Sequence, residues 1–169
     1  MSTAQVLKAK VETQTPRTGI KAEDAKLLAE GLSRSLAATY VLYVKTQGFH
    51  WNVVGPLFHG LHKLTEEQYR DLAEAADTVA ERIRALGHPA PASLVEFARL
   101  SPIGETEGRM SAQAMAEALV SDHETVARSF RELVGVAERA DDVVTADLLT
   151  DRIRAHEEAA WMLRSIVSG

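Results

Sequence analysis

The sequence of 169 residues contains no cysteine, only 5 prolines and few aromatic residues. The absence of cysteine excludes disulfides, thiolate metal sites and thiol nucleophiles. No run approaches the roughly 18 apolar residues that a transmembrane helix requires, and the N-terminal segment lacks the apolar core of a signal peptide. We therefore expect a protein that is not exported, does not enter a membrane and resides in the cytoplasm.

The rest of the sequence is rich in alanine, leucine and glutamate and has no strand-like alternation. Apolar residues recur at helical spacing, as in Leu28, Leu32 and Leu36. Three long helices are predicted at about residues 22 to 50, 57 to 86 and 111 to 140. A fourth follows a short joint and reaches about residue 167, and a short helix is predicted in "APASLVEFARL". This pattern favours an all-α four-helix bundle with a short extra helix in the middle connection. We assign residues 22–169 to the bundle and residues 1–21 to a flexible tail.

Histidines are concentrated at one break in the helical pattern. The segment "FHWNVVGPLFHGLH" holds three of the six histidines around one Gly-Pro pair. On the helix that follows, one imidazole and three carboxylates share a stripe at about 0°, 40°, 60° and 100° around the axis. The stripe contains His62, Glu66, Asp77 and Glu81. Imidazole and carboxylate ligands suit ferrous iron or a similar divalent ion, and His50 is expected to fold back towards them.

This stripe is too long to surround one ion. His62 and Asp77 are 15 residues apart, or about 22 Å along a straight helix, whereas a metal–ligand bond is about 2 Å. A twofold axis between residues 71 and 72 would bring His62 opposite Glu81 of the partner subunit and Glu66 opposite the partner's Asp77. Because a twofold contact repeats itself, the sequence predicts two metal sites per dimer, each shared between both chains.

A solvated helix face is the alternative interpretation of the stripe. Acidic residues four apart are common on exposed helices, and Asp77 and Glu81 could pair with Arg84 or Lys63. His50 could be a packed residue with a satisfied ring. The joint pattern favours the metal site. The Glu-x-x-His pair of in-bundle di-iron sites is absent, because no histidine has a glutamate three residues before it.

Three segments carry a resemblance to a known family. "KTQGFHWNVVGPLFHGLH" and "DTVAER" combine His-Trp, Gly-x-x-Phe-x-x-x-His and Asp-x-x-x-Glu at fixed offsets, and "TADLLTDRIRAHEEAAWML" extends the similarity over nearly the whole chain. On these motifs the chain resembles the Dps family, the DNA-binding proteins from starved cells, which are also called mini-ferritins. The resemblance implies a ferritin-like four-helix bundle.

The resemblance also implies an activity and an assembly. It implies a homo-dodecameric hollow shell, built from twofold dimers, that oxidises Fe(II) preferentially with hydrogen peroxide and stores the Fe(III) mineral, protecting DNA. The ferroxidase site would hold one or two irons between two subunits. The catalytic and metal-binding residues carried over are His50, His62, Glu66, Asp77 and Glu81. Many relatives have aspartate in place of Glu66, so this longer carboxylate could alter the position of the ion.

Acidic residues of the last helix fall near the threefold pores that the resemblance implies. They are Asp142, Asp147 and Asp151, and rings of acids there would attract Fe(II). The alternative interpretation is that acids near the start of a helix complement its dipole. His59, His123 and His156 are interpreted as surface or packing residues, although acidic neighbours could give His123 and His156 weak metal binding.

The charge is uneven along the chain. Residues 1–22 have four cations and one anion, a net charge of +3, so the remainder of this −5 chain carries −8. The candidate DNA-binding residues are Lys8, Lys10 and Arg17. DNA binding is expected to be weak and salt-dependent, aided by twelve tails acting together. The alternative function is a nucleoid-associated, DNA-compacting particle with a secondary metal site; the alternative for the tail is solvation without a partner.

Overall fold

The protein is all-α within residues 14–106 and 109–168, the part that the computed structural model describes. Four long helices and one short helix make up this part. Their bounds are α1 Ala22–Asn52, α2 Phe58–Ala85, α3 Leu94–Leu100, α4 Ala112–Arg139 and α5 Val143–Val167. The bundle with a short helix in its middle connection confirms the predicted fold class.

Each helix boundary has a local cause. Gly87 ends α2 with a φ of 91°, a conformation that glycine adopts without steric cost. A Cβ at Gly87 would also collide with the carbonyl oxygen of Gln14. Ser111, the predicted N-cap of α4, accepts a hydrogen bond from the backbone N–H of Ala114 at 3.2 Å, which satisfies one of the free donors at the helix start.

The core lies between the four long helices. Helix α1 packs on α2 and α4, and α4 packs on α5. The apolar residues at helical spacing face inwards, with Leu28, Leu32 and Leu36 almost completely buried. Gly31 lets α1 approach α4 closely, because a Cβ there would collide with the side chain of Leu133. The spacing of leucines read from the sequence therefore identified the correct face of α1.

Two ion pairs set the register between α2 and α5. Arg82 bonds Asp142 at 2.8 Å, and Arg152 bonds Asp71 at 2.6 Å. Residue numbers fall along α2 as they rise along α5, so the two helices run antiparallel. This register places Asp71, in the middle of α2, level with Arg152, near the middle of α5.

Residues 14–21 form neither helix nor strand. The backbone N–H of Gln14 donates to the carbonyl oxygen of Gly87 at 2.7 Å, which fixes the start of the described chain to the end of α2. Arg17 is exposed, whereas Lys8 and Lys10 lie outside the described residues. No helix in the described part is long and apolar enough to cross a lipid bilayer.

Candidate metal centre

The last turn of α1 and the first turns of α2 bring His50 and His62 together. The His50 Nδ1–H donates to the carbonyl oxygen of His62 at 2.8 Å. The His62 Nδ1–H donates in return to the carbonyl oxygen of His50 at 2.9 Å. The carbonyl of His50 is free to accept because the final four carbonyls of a helix have no partner within the helix. The predicted folding of His50 towards the start of α2 is confirmed.

These reciprocal hydrogen bonds define which ring atoms remain for a ligand. A carbonyl oxygen only accepts hydrogen bonds, so both Nδ1 atoms carry a proton. In the neutral rings the lone pairs therefore lie on the Nε2 atoms, and backbone hydrogen bonds of this kind orient metal-binding histidines in proteins. The two rings are nearly parallel, at 16°, with centroids 3.9 Å apart. The two adjacent rings therefore have fixed tautomers, and each has an Nε2 lone pair available to a metal ion.

Two aromatic residues pack against the histidine rings, and neither contact was predicted from the sequence. Phe58 stacks on His62 with centroids 5.0 Å apart, and Tyr69 meets His50 edge-on at 5.2 Å. The spacing of Phe58 and His62, four residues apart on one helix face, was a signal that could have identified the first contact. Trp51 is 68% exposed beside the buried His50.

Glu66 lies one turn after His62 and remains ionised. Its carboxylate accepts hydrogen bonds from Lys63 at 3.1 Å and from Arg70 at 2.6 Å. The hydrogen bond from Lys63, together with the positive charge of Arg70, lowers the pKa of Glu66 below its usual value. An incoming cation would meet the Glu66 carboxylate but would compete with the Lys63 ammonium and the Arg70 guanidinium. Exposed ion pairs of this kind contribute little stability.

Asp77 and Glu81 are exposed on the far half of α2. The alternative pairs considered from the sequence are not formed: Lys63 binds Glu66, and Arg84 donates to the carbonyl of His88. Within residues 14–106 and 109–168, no hydrogen bond or ion pair involves the carboxylate of Asp77 or Glu81. Helix α2 is continuous between His62 and Glu81, so the separation inferred from the sequence applies.

One chain does not assemble the five predicted ligands. His50, His62 and Glu66 gather at the start of α2, while Asp77 and Glu81 stay near its end. No group of three or more histidine, aspartate or glutamate residues among the described positions is placed to hold one ion. The described residues of one chain therefore contain no complete donor set, and the five-residue ligand set stays a prediction.

The three candidate pore acids have different environments. Asp142 is only 2% exposed, receives two hydrogen bonds from Arg82 at 2.8 Å and caps α5 through the Thr145 N–H at 3.0 Å. Burial alone would raise the pKa of Asp142, but the hydrogen bonds from Arg82 and Thr145 outweigh it and lower the pKa. Because the Asp142 carboxylate is buried and already bonded to Arg82 and Thr145, only Asp147 and Asp151 are retained as pore candidates.

Asp147 and Asp151 are exposed on α5. Charge–dipole effects are concentrated in the first turn of a helix, and both residues come after that turn. The dipole interpretation therefore applies to Asp142, the N-cap, and not to Asp147 or Asp151. Asp151 pairs with Arg154 at 2.8 Å on the surface. Of the remaining histidines, His59 is exposed, whereas His123 and His156 are buried against one another, as the packing interpretation predicted.

Comparisons with known proteins identify the fold family. The model of the ferritin-like domain matches residues 29–169. An uncharacterised low temperature-induced protein of Nostoc sp. is 42% identical over 153 residues, which cover 89% of this chain and 86% of the relative. DNA protection during starvation protein 2 of Bacillus anthracis is 36% identical, with 85% of this chain and 98% of the relative covered.

A solved structure adds the chemistry of the family. The DPS protein of Vibrio cholerae O1 has a TM-score of 0.85 and 30% identity, over 94% of this chain and 98% of that one. It is described as a member of a broad superfamily of ferritin-like diiron-carboxylate proteins. A shared domain, long alignments and a common bundle agree with the motifs around His50 and His62. The chain belongs to the Dps family of ferritin-like proteins.

Proposed function

We propose that this protein is a peroxide-dependent ferroxidase that oxidises Fe(II) at sites shared between two subunits and stores the Fe(III) product inside a dodecameric shell. The observation that carries the proposal is the locked pair of His50 and His62. Their Nδ1 atoms are engaged by backbone carbonyls, so the Nε2 lone pairs remain for an ion beside the Glu66 carboxylate.

The incomplete donor set within one chain supports the shared site. Two antiparallel copies of the continuous helix α2, related by a twofold axis between residues 71 and 72, would set Glu81 and Asp77 of the partner subunit opposite His62 and Glu66. A twofold contact applies the same pairing twice. The exposed acids on the far half of α2 then complete the ligand set in the neighbouring chain.

Exposed apolar side chains support an assembly around this site. Next to the break between α1 and α2, three large apolar residues face solvent in the single chain: Trp51, Val54 and Phe58. On α3, Leu94 and Val95 are 70% and 80% exposed. Apolar clusters of this kind on one subunit mark protein–protein contacts. Covering them with a second copy would place the contact beside the candidate ligands.

The ligand set suits transient binding of iron as a substrate. The carboxylates offset the charge of the ion, and the fixed imidazoles orient it. Each of two Fe(II) ions gives one electron, and hydrogen peroxide accepts both electrons with two protons to become two water molecules. A paired transfer avoids the hydroxyl radical that a one-electron step would release. The small number of protein ligands allows Fe(III) to leave for the mineral.

Single substitutions test the ligand assignment. We expect His50→Ala and Asp77→Ala each to slow peroxide-driven Fe(II) oxidation about tenfold or more, since loss of even an outer partner of a metal ligand has effects of that size. Initial rates of Fe(III) formation, followed by absorbance in assembled protein, provide the measurement. Glu67→Ala is the matched control, because Glu67 is an exposed acid on the same helix but lies about 140° around the axis from His62. Initial rates equal to wild type in both ligand variants would refute the assignment.

Iron uptake at a threefold pore is a separate proposal for Asp147 and Asp151. Their exposure on α5 is compatible with an acidic ring that concentrates Fe(II). Asp147→Asn should then slow iron uptake at low ionic strength and have a smaller effect at high ionic strength, where charges are screened. An equal effect at both ionic strengths would argue against electrostatic guidance.

A DNA-compacting particle is the second candidate function. The curated Bacillus anthracis relative is named for DNA protection during starvation, and Arg17 is exposed at the edge of the described chain. The net charge of −8 outside residues 1–22 would oppose the approach of the bundle to phosphate. We therefore rank DNA binding below iron oxidation and assign it to the cationic N-terminal segment.

A further inference from the structure

A second histidine pair lies inside the bundle, between α4 and α5. His123 and His156 are 2% and 1% exposed, and their Nδ1 atoms are 2.9 Å apart. A hydrogen bond at this distance needs one donor and one acceptor. One ring therefore carries its proton on Nδ1 and has a bare Nε2, while the other has a bare Nδ1 and a protonated Nε2. Neither histidine takes part in the proposed function.

Several polar atoms around this pair lack a partner. Both Nε2 atoms, the amide nitrogen and oxygen of Gln68, and Nε of Arg152 are buried without a hydrogen bond to any described residue. Leaving a buried donor or acceptor unpaired costs about 1–3 kcal/mol, so such atoms are rare in native proteins unless ordered water or another ligand binds them. The five atoms around this pair mark positions where ordered water or another small ligand is expected.

The orphaned atoms belong to one region. Arg152 precedes His156 by one turn of α5, and its terminal nitrogens bind Asp71 on α2 at 2.9 and 2.6 Å. Gln68 precedes Asp71 by one turn on α2. Because α2 and α5 are antiparallel, moving from Asp71 to Gln68 corresponds to moving from Arg152 to residue 155 or 156. Gln68 is therefore level with His156.

The chemistry of these atoms favours water over an ion. The set contains two fixed donors, in Arg152 Nε and one protonated Nε2, together with acceptors in the other Nε2 and the Gln68 amide. A cation would meet the positive charge of Arg152, and Asp71, the nearby carboxylate, is already bound by that guanidinium. The described residues also place no three metal-binding side chains around one point. Water donates and accepts, and buried waters typically make two to four such bonds.

A surface cleft between α4 and α5 reaches His156. It has a volume of about 360 Å³, and its lining includes Glu124, Arg131, Glu157 and His156. The charged residues lie at the surface, where Arg131 binds Glu157 at 2.5 Å. Of the two buried histidines, His156 is the one that lines this cleft.

We infer that the bundle holds bound water at the Nε2 atoms of His123 and His156, and that the pair passes a proton between these waters. Water delivers a proton to the bare Nε2 of the first ring. That ring passes its Nδ1 proton to the bare Nδ1 of the second, which releases its own Nε2 proton to water. One proton enters and one leaves, the two rings exchange tautomers, and no electron moves. Both rings stay neutral because their pKa values are lowered, that of His123 to about 4. Burial is the main cause, and the positive charge of Arg152 adds to it.

A high-resolution crystal structure of the assembled protein tests the water. We expect ordered water about 2.7–3.2 Å from both Nε2 atoms. Direct pairing of those atoms with Gln68 or other protein groups, a dry interior, or an anomalous signal from a bound metal ion would each overturn the water site.

Solid-state nitrogen NMR of the sedimented, histidine-labelled assembly tests the proton transfer. We expect the ring nitrogens of His123 and His156 to give averaged signals at room temperature and to receive magnetisation from water as rapidly as those of exposed His59. In His156→Gln, the amide can still bond His123 but cannot pass a proton, so His123 should show one fixed tautomer. Two static tautomers in the wild-type protein, or magnetisation that reaches them far more slowly than His59, would overturn the relay without any need for the variant.

Discussion

The two histidine pairs of this chain differ in what their Nδ1 atoms bind. In the pair at the break between α1 and α2, backbone carbonyls take both Nδ1 protons, and the two Nε2 atoms become equivalent donors for an ion. In the buried pair, His123 and His156 bond one another through Nδ1, so their Nε2 atoms differ in protonation. We therefore propose metal ligation for the first pair and proton exchange for the second.

The buried pair predicts a specific dependence of stability on pH. Burial is the main cause of the lowered pKa values of His123 and His156, with Arg152 lowering both further and Asp71 acting in the opposite direction on His123. The folded state therefore binds fewer protons than the unfolded state, in which the usual pKa is about 6.5. The contribution of the two neutral histidines to the free energy of unfolding is complete above about pH 6.5. It is lost as the pH falls towards about 4.

Denaturant unfolding between pH 7.5 and 4.5 checks this dependence. The unfolding midpoint of the wild type should fall across the window, and the double variant His123→Leu/His156→Leu should fall less, because two groups that take up protons on unfolding have been removed. Carboxylates titrate in both proteins, so the difference between the two slopes isolates the histidines. Parallel slopes would show that the pair does not titrate on unfolding.

At the level of single residues, the sequence predicted which side chains lie near one another better than it predicted their hydrogen bonds. Helical angles placed His62 and Glu66 on one stripe, and the short Gly-Pro break brought His50 to them. The tautomers could not be predicted, because they depend on which carbonyl each ring meets after two helices pack. The Arg82–Asp142 pair was missed for the same reason: its residues are 60 apart, and no local pattern links them.

Among the elements, α5 depends on a buried charge at its start. Asp142 caps the helix and also binds Arg82 of α2. We expect Asp142→Ala to destabilise the fold by about 3–5 kcal/mol, the range for removing one partner of a buried ion pair. Asp151→Ala removes an exposed pair with Arg154 and should have an effect below about 1 kcal/mol.

Urea unfolding of the two aspartate variants side by side provides the measurement. Both changes remove one negative charge from α5, so a general effect of charge would shift both midpoints equally. A large shift for Asp142→Ala alone confirms that this residue joins α2 to α5. Equal, small shifts would mean that the buried pair adds little to stability.

The helices themselves were largely predictable. Regular leucine spacing, Gly87 and Ser111 are local signals, and they located the helix ends within a few residues. The packing of α2 against α5 was not predictable, because antiparallel neighbours in a bundle are distinguished by side-chain contacts between distant segments. Helix α2 is the element on which the functional proposal depends, since its uninterrupted course keeps Asp77 and Glu81 away from His62 in the same chain.

For the whole molecule, the uneven charge predicts how any DNA binding responds to salt. If the cationic N-terminal segment is responsible, retardation of duplex DNA in a gel should be weak, decrease steeply with salt and disappear when residues 1–17 are deleted. The bundle is expected to stay assembled after the deletion, which native mass confirms or refutes. Equal retardation by full-length and shortened protein would assign the interaction to another surface.

The central claim is that the iron site takes its histidines from one chain and its distal acids from another. Mixing two inactive variants tests this claim most directly. The variant His50→Ala/His62→Ala keeps the acids, and the variant Asp77→Ala/Glu81→Ala keeps the histidines. In a mixed dimer, one of the two shared sites would combine intact histidines with intact acids.

The measurement is the initial rate of peroxide-driven Fe(II) oxidation in shells co-assembled from equal amounts of both variants. Random assortment makes half of the dimers mixed, and each mixed dimer restores one of two sites, so the rate should recover to about a quarter of wild type. Shells made of either variant alone serve as the baseline. Mixed shells that are no faster than this baseline, although native mass spectrometry shows both variants in one particle, would contradict a site shared between subunits.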